Sequence, residues 1–404
     1  MYNQNTMKTQ ITSDLYYIGS FDRRIALFEN VYPVPDGVTY NSYLLTGNEP
    51  VIFDTADGAF TNEFLRNAEE ALAGKQPAYL IVSHMEPDHS ASIKALAEKY
   101  PAMKIVVNAR SKVFLEGFFP DLKSELVIVK EGDTLTACGH TLKFMLAPMV
   151  HWPEVMFTYD ETDKTLFSAD AFGTFGTKNG IDLTPDRFDE YLPEARRYYT
   201  NIVGKYGTQV LGALKKVTFE VDRVCPLHGP VLSKALFEKA AAYYTTWASY
   251  AAEKSSAVIA YASVYGNTKR AAEYLKDALS KRGVSDVVTF DVSKTHFSYI
   301  LAECFLNSHI VLASITYNAG IFTNMETLIS EIVRHDIANR KFSFIENGSW
   351  AAQSGKLMRG ALSKVKNAAF VGETVSFRSS LKAETYAALD TLADSIAEDI
   401  KNNG

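Results

Sequence analysis

Ser83-His84-Met85-Glu86-Pro87-Asp88-His89-Ser90 follows directly on the apolar run Ala78 to Val82 and packs four metal-capable side chains into six positions. Imidazoles and carboxylates mixed in one short loop at a strand end suit a hard or borderline divalent ion, and two carboxylates among four groups lean away from a plain zinc centre. His84, Glu86, Asp88 and His89 are therefore candidate metal ligands.

Three further candidates lie downstream. His151 stands in Met149-Val150-His151-Trp152-Pro153, Asp170 ends Thr165-Leu166-Phe167-Ser168-Ala169-Asp170, and His228 lies in Cys225-Pro226-Leu227-His228-Gly229. Each closes a β-like run, the place from which several strands can aim side chains at one centre. An isolated Asp at a strand end is usually a turn former, but beside the first loop these residues read as one constellation.

The chain has 404 residues, 47% of them hydrophobic, and a formal charge of -6. That is enough for two domains with substantial cores, and it leaves no basic footprint for nucleic acid. No apolar run approaches the roughly 20 residues of a membrane span, and Met1-Tyr2-Asn3-Gln4-Asn5 lacks the pattern of a signal peptide. A cytoplasmic protein without membrane partners is expected. Three scattered cysteines, Cys138, Cys225 and Cys304, exclude a disulfide framework and a four-thiolate iron site. Cys225, three residues before His228, reads as buried packing.

Two halves differ in design. Up to about Tyr250, short β-rich runs such as Val51 to Asp54, Tyr79 to Val82, Lys104 to Val107, Val127 to Val129 and Phe144 to Leu146 suggest antiparallel sheets with covering helices. A helix over Lys234 to Glu253 closes this half, and Lys254-Ser255-Ser256 reads as a polar joint. Strands at Ala257 to Ala262, Val287 to Val292, Ile310 to Ile315, Phe342 to Ile345 and Ala368 to Val371 then alternate with helices, giving five βα units. That alternation predicts a doubly wound parallel five-stranded sheet with ligands at the carboxyl ends of its strands. The expected domains are 1–253 and 254–404, α+β and α/β respectively.

The first strand of the second half runs into Ser263-Val264-Tyr265-Gly266-Asn267-Thr268, which opens a helix. Hydroxyls and free N–H groups at a helix start make an anion cradle, and the absence of both Gly-x-Gly-x-x-Gly and Gly-Lys-Ser/Thr favours a lone terminal phosphate. Two more strand ends, Ser314-Ile315-Thr316-Tyr317-Asn318-Ala319-Gly320 and Asn347-Gly348-Ser349-Trp350, fall where a flat aromatic ligand needs walls.

These three segments together resemble the phosphate loop and the two ring-flanking loops of flavodoxin. The resemblance implies FMN held by Ser263, Tyr265, Gly266, Asn267, Thr268, Ser314, Thr316, Tyr317, Asn318, Gly320, Asn347, Gly348, Ser349 and Trp350. In the first half, the seven candidate ligands resemble those of the metallo-β-lactamase fold, an αββα sandwich. Zinc hydrolases of that fold carry His-x-His-x-Asp-His, whereas Glu86 stands here for the second His. The extra negative charge suits two ferrous ions better than zinc.

A lactamase-like domain with this Glu, fused to a flavodoxin-like domain, resembles the flavodiiron proteins. The resemblance implies one iron on His84, Glu86 and His151, a second on Asp88, His89 and His228, and Asp170 with an oxo or hydroxo group bridging them. It also implies dioxygen reduction to water, with nitric oxide reduction to nitrous oxide as a second activity. Two ferrous ions and a fully reduced flavin together hold the four electrons that dioxygen consumes. Rubredoxin as electron donor and a head-to-tail homodimer or tetramer are implied as well. A zinc hydrolase with a regulatory flavodoxin-like half is the competing expectation. Members of the family often carry a Phe-His-Gly segment beside the metal pocket. Leu27-Phe28-Glu29-Asn30 replaces it here, so Tyr198 and Tyr199 become the candidate proton donors.

Overall fold

A computed structural model describes residues 8–177 and 181–403. The chain folds as two compact units, one running to Tyr199 and including Thr208–Thr245, the other comprising Thr200–Gly207 and everything from Thr246 on.

The first unit stacks two sheets. One has the strand order Thr9–Gln10, Leu15–Tyr17, Tyr43–Leu45, Val51–Phe53, Tyr79–Ile81, Lys104–Asn108, Leu126–Val129. The other runs Thr134–Ala137, His140–Leu146, Met156–Asp160, Thr165–Phe167, Arg223–Cys225, Leu232–Ser233. The inner faces meet in a core that includes Tyr43, Phe53, Phe144, Phe167 and Cys225, with the rings of Phe53 and Phe167 stacked at 3.7 Å. Cys225 is thus core packing, and burial pushes its thiol far above the usual range.

The expectation of antiparallel sheets needs correction. Val51–Phe53, Tyr79–Ile81, Lys104–Asn108 and Leu126–Val129 pair in parallel. Parallel neighbours need crossovers, and the helices Thr61–Leu72, Ile93–Lys99 and Ala109–Phe118 supply them. The inner three of these strands are covered on both faces, so Val51–Phe53, Tyr79–Ile81 and the middle of Lys104–Asn108 are apolar throughout and the alternation that would have betrayed pairing direction is lost. The helix expected over Lys234 to Glu253 stops at Ala248.

The second unit carries the parallel order Val288–Asp291, Lys254–Ala262, Asn307–Tyr317, Lys341–Asn347, Ala369–Phe370. This 2-1-3-4-5 order is the flavodoxin-like one, with its switch point beside the first strand. The fifth strand is broken, since Val375–Phe377 pairs with the same neighbour farther along. Lys254-Ser255-Ser256 belongs to the first strand rather than to a joint. A helix the periodicity did not reveal, Phe297–Leu306, is apolar on nearly every side, and helices buried all round show no polar stripe.

Candidate functional site

The loop after Tyr79–Ile81 is fastened from several sides. The carboxylate of Asp54 accepts the N–H groups of Ser83 at 2.7 Å and His84 at 3.3 Å. Burial pushes Asp54 up to about 6, and the Ser83 hydrogen bonds hold it lower than burial alone would. Pro87 opens a single helical turn, Pro87–Ser90, a position where its missing N–H costs nothing. Thr55 Oγ1 donates to the carbonyl of His89 at 2.6 Å and Ser90 Oγ to that of Met85 at 2.9 Å.

The seven expected ligands fall into two groups. In the first, His84 Nε2 lies 3.1 Å from Glu86 Oε2 and 3.4 Å from Asp170 Oδ2, and His151 Nε2 lies 3.0 Å from each of those oxygens. In the second, Asp88 Oδ2 lies 3.2 Å from His89 Nε2 and 3.3 Å from His228 Nε2. Asp170 faces this group with its other oxygen, Oδ1, at 3.4 Å from His89 and 3.8 Å from His228. One carboxylate thus presents an oxygen to each group, as a bridge between two ions must.

The donor set fits two cations. Both Asp88 oxygens and Asp170 Oδ1 are buried without a hydrogen-bond partner among the described residues, an arrangement that is costly unless a charge compensates it. Burial disfavours the charged form of His84, yet Asp170, Glu154 and Glu86 outweigh it and raise its pKa well above normal. His151 is likewise raised to about 9 against its burial, by Asp170 and Glu86. Burial would raise Asp170, but the imidazoles of His84, His151 and His89 hold it well below the usual carboxylate range. The site is a concentrated negative pocket lined with imidazoles.

Outside the ligands, the His228 ring is oriented by Nδ1, which faces the Thr39 carbonyl at 2.6 Å. Gly229 has φ +79°, and a Cβ there would meet Thr174 Cγ2 at 2.3 Å, so only glycine fits. Tyr198 is fully buried, its ring centroid 5.4 Å from that of His228 and its hydroxyl without a hydrogen-bond partner among the described residues. Tyr199 packs edge-on against Tyr244 at 4.9 Å. Trp152 sets its ring edge-on to His84 at 5.3 Å.

Three residues escaped the sequence reading. Glu154, fully buried, accepts from His84 Nδ1 at 2.8 Å and from the Met85 N–H at 2.9 Å. Its only signal was its place three residues after His151. Asp54 shows in the sequence only as the last residue of the run Val51 to Asp54. Glu29, in Leu27-Phe28-Glu29-Asn30, keeps much of its surface open to solvent, and packing around its carboxyl together with the charges of Glu86 and Asp88 pushes it up to about 8.

In the second unit a cleft of about 330 Å³ opens at the carboxyl ends of the strands. Ser263, Tyr265, Asn267, Thr268, Thr316, Tyr317, Asn347, Gly348, Ser349 and Trp350 line it as expected, joined by Val264, Ile315, Ala319, Ala351, Gln353 and Ser379. Four expected residues do not line it. Ser314 is buried and donates to the Ile315 carbonyl. Gly266 takes the left-handed turn before the helix and donates to Ser263 Oγ. Asn318, with Ala319, forms the left-handed pair of a tight hairpin that Gly320 closes against Tyr317. The hydroxyl of Thr268, itself 1% exposed, has no partner among the described residues and sits where a helix start would receive a phosphate. Tyr265 and Trp350 leave 91% and 86% of their surface open at this cleft, which a stacked ring system would cover.

Residues 38–229 match the family described as ODP family beta lactamase, and residues 259–372 match flavodoxin. The chain is 26% identical over 368 residues to the flavo-diiron protein FprA2 of Clostridium acetobutylicum, covering 88% of this chain and 91% of that one. It is 27% identical over 379 residues to the nitric oxide reductase of Moorella thermoacetica, covering 91% and 93%. Among solved structures, the rubredoxin oxygen:oxidoreductase of Desulfovibrio gigas superposes with a TM-score of 0.91 at 25% identity, over 98% of this chain and 99% of that one. Two groups of metal-capable side chains that share one aspartate, a glutamate where hydrolases keep a histidine, and a cleft at the strand ends of the flavodoxin-like unit agree with these likenesses: the chain belongs to the flavodiiron proteins, oxidoreductases that use FMN and a di-iron centre.

Proposed function

We propose that this chain reduces dioxygen to water, with reductive coupling of nitric oxide as its second activity, using electrons delivered by rubredoxin through FMN. The observation that carries the reading is the pairing of His84, Glu86 and His151 against Asp88, His89 and His228 across Asp170. When bound, two irons supply a centre that binds a diatomic gas and delivers electrons to it. The residues of this chain do the rest. The imidazoles and carboxylates hold the two ions side by side, Trp152 and the ring of Tyr198 crowd water from His84 and His228, and Tyr198 Oη can hand a proton toward the pocket.

We assign the flavin to the cleft around Thr268 and Trp350, with the functional halves dividing at residues 253 and 254. A head-to-tail homodimer or tetramer would bring the flavin of one subunit beside the metals of another. A cytoplasmic location belongs to the same reading; among the described residues, no helix is long and apolar enough to cross a membrane.

The test is direct. Anaerobically reduced protein given reduced rubredoxin should consume each gas when challenged with dioxygen and nitric oxide separately. Two zincs per chain with hydrolytic turnover, in protein made with ample iron, would instead establish the hydrolase.

A further inference from the structure

The two ligand groups are matched in their inner donors and unmatched behind them. Each supplies two imidazoles, one carboxylate of its own and one oxygen of Asp170. Behind the first group stands Glu154, whose side chain is fully buried and whose Oε1 accepts the Nδ1 proton of His84 at 2.8 Å. Its Oε2 is buried and has no hydrogen-bond partner among the described residues, so the group is not neutralised from its far side. Asn108 Nδ2 donates to the Glu154 backbone carbonyl at 2.6 Å and fixes the residue in place.

Behind the second group, among the described residues, no carboxylate meets an outer imidazole nitrogen. His228 Nδ1 faces the Thr39 carbonyl at 2.6 Å, and His89 Nδ1 has no partner among the described residues. A histidine that donates its outer N–H to a carboxylate is a more basic ligand than one that donates to a carbonyl. A more basic, more negative surrounding stabilises the higher charge of a bound ion.

We infer that Glu154 is a positioning residue that makes the two iron positions electronically unequal, so that the position of His84, Glu86 and His151 prefers ferric iron and that of Asp88, His89 and His228 prefers ferrous iron. This rests on the di-iron reading and deepens it: the half-reduced centre has a defined order, with the first electron settling at the Asp88 position. A tenfold difference in ferric preference between the positions corresponds to about 59 mV for one electron.

The experiment is Mössbauer spectroscopy of the whole protein loaded with iron-57 and half-reduced with dithionite, comparing the unaltered chain with Glu154→Gln. The amide keeps the size and one acceptor oxygen but removes the charge. The unaltered chain should show one ferric and one ferrous component of fixed, unlike parameters. In the variant, the ferric component should change while the ferrous one stays, the second reduction potential, that of the His84 position, should rise, and iron affinity at that position should fall by about 10–100-fold. Two retained irons with an unchanged spectrum, or equal changes in both components, would overturn the inference. Should Glu154→Gln hold no iron, Glu154→Asp, which draws the carboxylate back from His84 Nδ1, should move the ferric component in the same direction by less, and equal changes in both components would overturn the inference. Zinc in place of iron in the unaltered chain would sink the di-iron reading instead, which separates the two failures.

Discussion

His89 and His228 bring their Nε2 atoms to 3.0 Å of each other in a buried pocket, from positions 139 residues apart in the chain. With the Nδ1 proton of His228 committed to Thr39, its Nε2 lone pair points inward, where a shared cation stabilises it. His89→Ala should therefore lower iron from two per chain toward one and abolish gas reduction, with FMN content unchanged. Metal analysis beside flavin absorbance checks this, and full iron retention would contradict it.

Glu86 separates the iron reading from the zinc one. Restoring the hydrolase pattern with Glu86→His removes one negative charge from the group that also contains His84, His151 and Asp170. In protein produced with equal iron and zinc, the variant should show a higher zinc-to-iron ratio than the unaltered chain. Mass-spectrometric metal counting reads the ratio.

Tyr198 can be tested with little structural confusion. Its hydroxyl is buried without a partner among the described residues, so Tyr198→Phe removes an unsatisfied group and should leave stability unchanged or raise it by up to about 1 kcal/mol. Turnover should fall by about 10–100-fold if the hydroxyl supplies a proton. Thermal melting and gas-consumption rates measured on the same sample tell packing from chemistry.

Thr268→Val is nearly isosteric and deletes the hydroxyl that has no partner at the helix start. FMN affinity should weaken by about tenfold, the worth of one hydrogen bond of about 1.4 kcal/mol. Fluorescence titration of flavin into the stripped protein measures it, with circular dichroism as the control for folding.

A pH-linked contribution to stability lies away from the metals. His140 bridges Asp160 at 2.7 Å and Asp14 at 3.1 Å, tying two neighbouring strands of one sheet to a turn of the other. Partial burial opposes its charged form, but Asp160 and Asp14 raise its pKa above the usual value. A raised histidine stabilises the fold fully below its unfolded pKa, about 6.5, and loses that contribution as pH climbs through the raised one. His140→Gln should therefore cost about 2 kcal/mol near pH 6 and less near pH 9. Denaturant unfolding at the two values checks the sign.

The sequence by itself determined the kinds of chemistry. The loop from His84 to His89 is local, so its ligand types and the telling Glu86 could be read directly, and the regular alternation after residue 257 announced a doubly wound sheet. Loops at successive strand ends likewise marked ten of the residues that line the cleft. Tertiary structure alone decided what depends on distance. It set the parallel pairing of Val51–Phe53 with Tyr79–Ile81, which apolar runs cannot encode because both faces are covered. It turned the two oxygens of Asp170 toward different histidines and put Tyr198 beside His228 while Tyr199 packs on Tyr244. It also placed Glu154 behind His84, 70 residues away in the chain. Residue type fixes which bonds a group can make, but its partner depends on where the whole chain carries it, and no local pattern contains that.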